Sequence, residues 1–136
     1  MKVKGLDNKT YSWYLVDYQP MANDTRIRSE LHLDVRKIIK EVYPSYRLCE
    51  EVPLPGSGGL FADFYLPQLK IIVEAHGKQH YQYVQHFHKN WKGFIESKKR
   101  DEKKAEWCKI NNITLIICSY WEKKNVWKER LQLSFS

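Results

Sequence analysis

Residues 61–77 contain two short apolar segments on either side of a Pro-Gln pair, with one carboxylate in each segment. Apolar runs of this length around a turn predict a β-hairpin. We place the centre of the turn at Pro67-Gln68. Asp63 then faces Ile72, and Glu74 follows two residues further along on the same face, about 7–8 Å away. Because burying a charge costs several kcal/mol unless it is paired or bound to a metal, the two carboxylates predict a metal site.

The rest of the chain predicts helices and strands on both sides of this hairpin. Apolar residues at positions 31, 35, 38 and 42 recur at helical spacing after Ser29, which can cap a helix. The predicted elements are a strand near residues 11–16, a helix at 30–42 ended by Pro44, an edge strand at 46–52, the hairpin, a helix at 98–111, a strand at 113–118, and a helix at 122–133 that packs Val126, Trp127, Leu131 and Leu133 on the body. A helix between two buried strands is a crossover unit, so residues 71–74 and 114–118 are expected to be parallel neighbours. This order predicts an α/β fold, a three-layer-like sandwich around a mixed central sheet.

The size and composition of the chain suit one domain, assigned to residues 1–136. No apolar run approaches the ~20 residues of a membrane span, and the first residues lack a signal-peptide core, so no membrane partner is expected. The three cysteines, at positions 49, 108 and 118, include no Cys-x-x-Cys pair. Their spacing favours reduced thiols and argues against a disulfide framework or a structural zinc site. The expected compartment is the cytoplasm, or the host-cell cytoplasm for a phage-encoded chain.

The formal net charge of +7 favours a polyanionic partner, most often nucleic acid. The positive charge is concentrated between positions 78 and 109, where it alternates with aromatic residues. Cations can contact phosphates while aromatic rings stack on bases, so we expect this segment to contact DNA. The alternative is a solvated helix face with a few core aromatics. The candidate DNA-binding residues are Lys78, Lys98, Lys99, Arg100, Lys103 and Lys104.

Four blocks of sequence form a further pattern. They are residues 28–31 (Arg-Ser-Glu-Leu), 62–67 (Ala-Asp-Phe-Tyr-Leu-Pro), 71–80 (Ile-Ile-Val-Glu-Ala-His-Gly-Lys-Gln-His) and 100–108 (Arg-Asp-Glu-Lys-Lys-Ala-Glu-Trp-Cys). In this order they resemble the PD-(D/E)XK nuclease superfamily, which has the restriction-endonuclease-like fold. Within it, the chain is most similar to small relatives of the very-short-patch-repair endonuclease. The resembling core spans about residues 28–120.

This resemblance implies a divalent-metal-dependent endonuclease that hydrolyses DNA phosphodiester bonds, with a nicking or structure-directed activity. It implies that Asp63 and Glu74 are catalytic and hold Mg²⁺, for which Mn²⁺ can substitute, through oxygen ligands. Glu30 matches an additional acidic ligand at the first turn of the N-terminal helix, with Asp34 as the fallback. The alternative for Glu30 is an ordinary first-turn glutamate that complements the helix dipole. His80 matches a catalytic histidine that follows the glycine in this subgroup.

The sequence departs from the family pattern at two positions. Ala62 replaces a proline that supplies no ligand. His76 replaces the lysine that completes the Glu-x-Lys motif, and an imidazole carries no permanent positive charge, although it can orient water or, when protonated, face a phosphate. Lys78 and Lys104 are the candidates for the missing cation. The alternative for His76, otherwise a catalytic candidate, is a residue that only forms hydrogen bonds.

Other functions are open from the sequence. One is a catalytically inactive DNA-binding module on the same fold, and another is a Holliday-junction resolvase, which needs a symmetric dimer. A homodimer could use Trp121, Trp127 and Phe135. A structural protein with an incidental basic face is a third class. A zinc site is disfavoured because the four histidines between positions 76 and 88 lack cysteine partners or a clean helical pair. A ββα-metal nuclease built on residues 86–90 is disfavoured since no second half-motif follows.

Overall fold

The structure is a computed structural model that describes residues 1–15 and 29–135, with the backbone alone at residues 86, 87 and 135. Its elements, in chain order, are β1 (Lys2–Lys4), β2 (Thr10–Ser12), α1 (Glu30–Val42), β3 (Cys49–Pro53), β4 (Phe61–Leu66), β5 (Ile71–His76), a 3₁₀ turn (Lys78–His80), α2 (Gln85–His88), α3 (Trp91–Ile110), β6 (Thr114–Ser119) and α4 (Lys124–Phe135). The strand predicted near residues 11–16 corresponds to β2, and the loop predicted after it lies outside the described residues.

Helix α1 has the bounds that the sequence predicts. The Ser29 side chain accepts a hydrogen bond from the backbone N–H of His32 at 3.1 Å, which satisfies a donor that the first turn leaves unpaired. The helix ends shortly before Pro44, because proline disfavours the helical conformation at the residue that precedes it. Val35 and Ile39 are fully buried on the face that meets the sheet.

Four strands form a mixed sheet in the order β3-β4-β5-β6. The β3–β4 and β4–β5 pairs are antiparallel, and the β5–β6 pair is parallel. Helix α3 joins the two parallel strands, which confirms the predicted crossover unit. Strand β3 lies at the edge, as predicted, although it begins three residues later than expected, at Cys49. Strands β1 and β2 form a separate antiparallel hairpin.

Helices cover both faces of the sheet, so the fold is the predicted α/β sandwich. Successive side chains of a strand point to opposite faces, and Phe64 and Tyr65 of β4 therefore belong to different cores. Phe64 packs in the core that α1 and α4 cover. Tyr65 packs with Trp107 of α3 and with Trp13, which follows the N-terminal hairpin.

Helix α4 packs differently from the prediction. Trp127 and Leu131 are buried, but Val126 and Leu133 are exposed, so the predicted packing is wrong for these two residues. The burial of Trp127 also removes it from the surface that the sequence suggested for a homodimer. Trp121 remains exposed there, and the side chain of residue 135 lies outside the described part of the chain.

Helix α3 begins at Trp91 rather than at residue 98. The Asn90 side chain caps it by accepting the backbone N–H of Gly93 at 2.8 Å. A Cβ atom at Gly93 would lie 2.2 Å from the carbonyl oxygen of His88, so only glycine allows α3 to follow α2 so closely. In the described ranges, no helix is both long and apolar enough to cross a bilayer.

The register of the β4–β5 hairpin corrects the predicted turn. The observed pairs are Phe64↔Val73, Tyr65↔Ile72 and Leu66↔Ile71. Tyr65, and not Asp63, therefore faces Ile72, and the loop consists of residues 67–70. The reason is the turn geometry, since the N–H of Leu69 bonds to the carbonyl of Leu66 at 3.2 Å and Lys70 adopts a left-handed φ of 54°.

Candidate functional site

Asp63 and Glu74 lie where strands β4 and β5 separate. The backbone pairing between these strands ends at Phe64↔Val73. Beyond this pair, backbone N–H groups donate to the two carboxylates instead of to carbonyl groups of the facing strand. Glu74 Oε2 accepts the N–H of Asp63 at 2.6 Å, and Asp63 Oδ2 accepts the N–H of Ala75 at 2.9 Å. Each carboxylate thus binds the backbone of the opposite strand. The structure brings the two acidic residues together in a directly opposed arrangement rather than the predicted diagonal one.

The carboxylate pair opens into a pocket of about 510 Å³. Its wall combines the start of α1, the loop before β4, the ends of β4 and β5, the turn after β5, and one side of α3. Polar side chains dominate this wall, and both signs of charge are present. The lining residues are Ser29, His32, Gly59, Leu60, Phe61, Asp63, Glu74, Ala75, Gln79, His80, Ser97, Arg100, Asp101 and Lys104.

Glu74 is a buried carboxylate, and its ion-pair partner among the described residues is Lys104. Its side chain is 2% exposed, and Lys104 Nζ forms an ion pair with Glu74 Oε1. Burial, followed by the negative charge of Asp63, raises the pKa of Glu74 to about 7, although Lys104 opposes both effects. A buried carboxyl group that titrates near neutrality in a pocket is typical of functional sites.

Lys104 reaches the site because the middle of α3 faces the pocket instead of a hydrophobic core. The buried residues of this helix lie near its two ends. Between them, pocket-lining residues recur at three- and four-residue spacing, which places them on one side of a helix. These residues are Ser97, Arg100, Asp101 and Lys104. Of the two lysines that the sequence offered as the missing cation, Lys104 contacts Glu74, whereas Lys78 is exposed and outside the pocket lining.

His76 and His80 form a stacked pair beside Asp101. Their ring centroids are 3.9 Å apart with 11° between the planes, and His80 Nδ1 lies 2.9 Å from Asp101 Oδ2. Burial, followed by the neighbouring His80, lowers the pKa of His76 to about 4, so this imidazole is neutral at pH 7. Burial alone would raise the pKa of Asp101, but the hydrogen bond with His80 and the electrostatic interactions with His80, His76 and Lys104 outweigh it and lower that pKa.

The two acidic residues of α1 that the resemblance offered as a third ligand do not line the pocket with the carboxylate pair. Glu30 is exposed at the first turn and does not line the pocket, although Ser29 and His32 from the same turn do. Asp34, the fallback ligand, forms an ion pair with Lys124 at 3.4 Å. The structure therefore does not bring either predicted third ligand to Asp63 and Glu74.

The predicted DNA-binding residues divide into three groups. Arg100 and Lys104 line the pocket. Lys98 lies over the aromatic rings of Tyr81 and Phe94, with its Nζ 5.3 Å and 5.9 Å from their centroids. The exposed members outside the pocket lining are Lys78, Lys99 and Lys103. The basic residues of α3 thus point in several directions, and one side of this helix faces the carboxylates.

Sequence reasoning missed a buried ion-pair network at the pocket wall. Glu50 of β3 is 3% exposed, and its Oε1 lies 2.7 Å from His32 Nε2 and 3.0 Å from Arg36 Nε. His32 lines the pocket, so this network holds α1 against the sheet there. The four-residue spacing of His32 and Arg36 was an available signal, but nothing in the sequence of β3 shows that Glu50 points inward. Asp101 was also missed, although its spacing from Lys104 places both on one helix side.

The donor set of the carboxylate pair fits a hard divalent cation. Each carboxylate oxygen has two lone-pair directions, so the backbone hydrogen bonds leave acceptor capacity on Asp63 and Glu74. When ionised, the pair carries two negative charges against the single ammonium of Lys104. This excess of one negative charge favours binding of an oxygen-ligated Mg²⁺ or Mn²⁺.

Curated viral proteins are similar to part of this chain. It is 46% identical over 68 residues to "Uncharacterized protein 307L" of Invertebrate iridescent virus 6. It is 35% identical over 68 residues to "Uncharacterized protein 033L" of Invertebrate iridescent virus 3. Each match covers 50% of this chain and 34% of the relative, so the chain spans about a third of the length of the curated relatives it matches. No family model and no solved structure matches the chain.

Proposed function

We propose that this chain is a divalent-metal-dependent endodeoxyribonuclease of the PD-(D/E)XK type. The observation that carries the proposal is the meeting of Asp63, Glu74 and Lys104 at the gap between β4 and β5. Two carboxylates on adjacent strands and one lysine are the components that the resemblance requires. Here the lysine comes from α3 instead of position 76.

Asp63 and Glu74 would hold Mg²⁺ or Mn²⁺ at the pocket wall. When bound, such an ion polarises a phosphoryl oxygen and lowers the pKa of an attacking water. The chain itself fixes the two carboxylates in advance, through the backbone hydrogen bonds of 2.6 Å and 2.9 Å. Ligands held this way keep their geometry without reorganising when the ion and the substrate arrive.

Lys104 supplies a positive charge next to the same carboxylate. A fixed ammonium in a partly buried site stabilises charge that develops on phosphate oxygens more strongly than it would in water. Arg100 lies one turn earlier on the same side of α3, and its planar guanidinium suits two-point contact with a phosphate. His76 is neutral and does not line the pocket, so it does not replace this charge.

The described residues build one such pocket per chain, which fits cleavage of one strand per encounter. This arrangement supports a nicking or structure-directed activity as the specific form of the proposal. Cutting both strands of a four-way junction would need a second copy of the chain. The preferred DNA structure is therefore part of the test.

The test uses labelled linear, nicked, mismatched and four-way-junction DNA with Mg²⁺ or with EDTA. We expect cleavage in Mg²⁺ alone. Asp63→Asn should abolish cleavage and retain DNA binding, because it removes a metal ligand and not a phosphate contact. Lys104→Met should lower turnover by about 10²–10³-fold, the range for loss of one group that stabilises transition-state charge. Lys103→Met is the matched control, since this neighbouring lysine is exposed and outside the pocket.

Each outcome has a definite meaning. Cleavage by Asp63→Asn within about tenfold of the wild type would contradict the metal assignment. Equal losses in Lys103→Met and Lys104→Met would mean that only the overall charge of α3 matters. Binding to every substrate without cleavage of any would favour the DNA-binding module instead.

A further inference from the structure

His76, His80 and Asp101 form a compact set of ligand atoms next to the carboxylate pair. One nitrogen or oxygen from each of the three residues lies within 4.8 Å of the others. The residues belong to β5, to the 3₁₀ turn after it, and to α3. No atom of Asp63 or Glu74 belongs to this set.

We propose that these three residues bind a second divalent cation, of the transition-metal class that Zn²⁺ represents. Two imidazole nitrogens and one carboxylate oxygen are the ligands of three-residue zinc sites that keep a fourth position open. The same ligand set also suits other first-row metals such as Fe²⁺ and Co²⁺. The oxygen-only pair of Asp63 and Glu74 favours Mg²⁺ instead, so the two sites would differ in the metal they select.

One of the three ligand separations matches that of a metal site, and the other two are no longer than 4.8 Å. Metal–ligand distances of about 2.1 Å at tetrahedral or octahedral angles separate neighbouring ligand atoms by roughly 3.0–3.4 Å. His80 Nδ1 and Asp101 Oδ2 are 2.9 Å apart. The rings of His76 and His80 are nearly parallel, so one of them has to turn about its Cβ–Cγ bond to aim both nitrogens at one ion. That torsion is broad in histidine, so the adjustment needs no backbone movement.

The placement of the set gives the ion an open side. His80 and Asp101 line the pocket, whereas His76 is buried, so an ion held by the three residues would be reached from the pocket. Two lysines, Lys98 and Lys104, act electrostatically on His76. Each has a partner outside the three-residue set, because Lys104 is paired with Glu74 and Lys98 lies over an aromatic ring.

A simpler role for the cluster is a hydrogen-bonded dyad, in which Asp101 only orients His80 as a proton acceptor. That role does not need His76 and does not produce stoichiometric binding of a metal. The two roles therefore differ in a property that can be measured without any substrate.

The experiment is a Zn²⁺ titration of the full chain after EDTA treatment and dialysis, followed by calorimetry, with Co²⁺ absorbance as a second readout of nitrogen ligation. In excess Mg²⁺, which occupies the oxygen-only pair of Asp63 and Glu74, we expect one equivalent of Zn²⁺ per chain. His80→Ala and Asp101→Asn should each weaken binding by more than the roughly 10–100-fold typical of a lost outer-shell contact. Glu74→Gln, which changes the other site, is the control and should retain Zn²⁺ affinity.

Circular dichroism and thermal unfolding establish that each variant is folded, and His80→Gln replaces His80→Ala if the alanine variant is not. Absence of stoichiometric Zn²⁺ binding, or unchanged affinity in both ligand variants, would overturn the proposal. Loss of Zn²⁺ binding in Glu74→Gln would place the ion on the carboxylate pair and would also overturn it. Because the readout is metal binding and not cleavage, its failure leaves the nuclease proposal to be decided by its own assay.

Discussion

Glu74→Gln should make the metal-free protein more stable above pH 7 while removing the proposed nuclease activity. The ordinary pKa of glutamate is 4.5, and in this pocket it is about 7. A tenfold difference in proton affinity corresponds to about 1.4 kcal/mol, so ionised Glu74 lowers the free energy of unfolding by about 3 kcal/mol above pH 7. Glutamine keeps an oxygen for the N–H of Asp63 but leaves Lys104 without its carboxylate partner. We therefore expect a net gain of about 1–3 kcal/mol at pH 8.

The sign of the pH dependence follows from the raised pKa. Between pH 4.5 and pH 7 the folded protein holds the Glu74 proton more tightly than the unfolded chain does. Stability from this group is thus fully present below pH 4.5 and is lost as the pH rises through about 7. The difference between Glu74→Gln and the wild type should be small at about pH 4 and reach its full size at about pH 8.

The assay is urea unfolding of both proteins in EDTA across this pH range, repeated with Mg²⁺. Mg²⁺ should stabilise the wild type and leave Glu74→Gln unchanged, because a ligand that binds only the folded state shifts the equilibrium toward it. The reasoning is refuted if Glu74→Gln is less stable at pH 8, or if the difference between the two proteins does not change with pH.

Glu50 is the matched control within the same chain, because its pKa is shifted in the opposite direction and its substitution should change stability in the opposite direction. It is also a buried glutamate, and burial alone would raise its pKa, but His32 and Arg36 outweigh burial and lower it. The contribution of ionised Glu50 to the free energy of unfolding is fully present at pH values above 4.5, the ordinary pKa of glutamate. It is lost as the pH falls through the lower pKa that Glu50 has in the folded protein. Glu50→Gln should therefore destabilise the protein at pH 8 by about 1–3 kcal/mol, and this loss should shrink in acid.

Three further predictions follow from named contacts. If the proposed DNA binding involves Arg100, Arg100→Gln should flatten the slope of log affinity against log salt for duplex DNA by about 0.9, whereas Lys99→Gln should change it less. Equal slopes in the two variants would show that Arg100 makes no phosphate contact. Ser29→Ala should lower stability by about 1 kcal/mol through loss of the α1 cap, measured by urea unfolding, and an unchanged midpoint would contradict the cap. The three buried cysteines, whose pKa values burial raises, should react with Ellman's reagent only after unfolding. Rapid reaction of the native protein would contradict that burial.

The parts of the fold that depend on local sequence were predictable. Helix α1 combines its cap, its apolar repeat and its stop signal within one segment, so its bounds followed directly. The parallel pairing of β5 and β6 followed from the crossover rule. The hairpin register did not, because it depends on the left-handed conformation of Lys70. The error in the register shifted the residue opposite Asp63 by two positions. Because side chains alternate faces with a period of two, Asp63 is still on the same face as Glu74.

The contacts that define the candidate site could be predicted only in part. Lys104 and Glu74 are 30 residues apart in the chain, and His80 and Asp101 are 21 apart. Whether such residues meet depends on where α3 starts and how it crosses the sheet. The aromatic and histidine-rich segment before α3 has no clear helical pattern, so the start of the helix could not be predicted. In the structure, Asn90 caps the helix and Gly93 permits the close approach to the backbone of His88. The sequence therefore identified the acidic pair but not the helix face that completes the pocket.

The imidazole at position 76 fits a site whose cation lies on a helix. Residue 76 is 6% exposed, and it lies on the same side of β5 as Glu74. A lysine at this position would place a second ammonium near Lys104 in a region with little water, where like charges disfavour each other. A neutral imidazole leaves Glu74 with one counter-charge and adds a nitrogen donor next to His80. In the proposed nuclease, a neutral histidine at position 76 is therefore compatible with the site, because Lys104 on α3 supplies the positive charge beside Glu74.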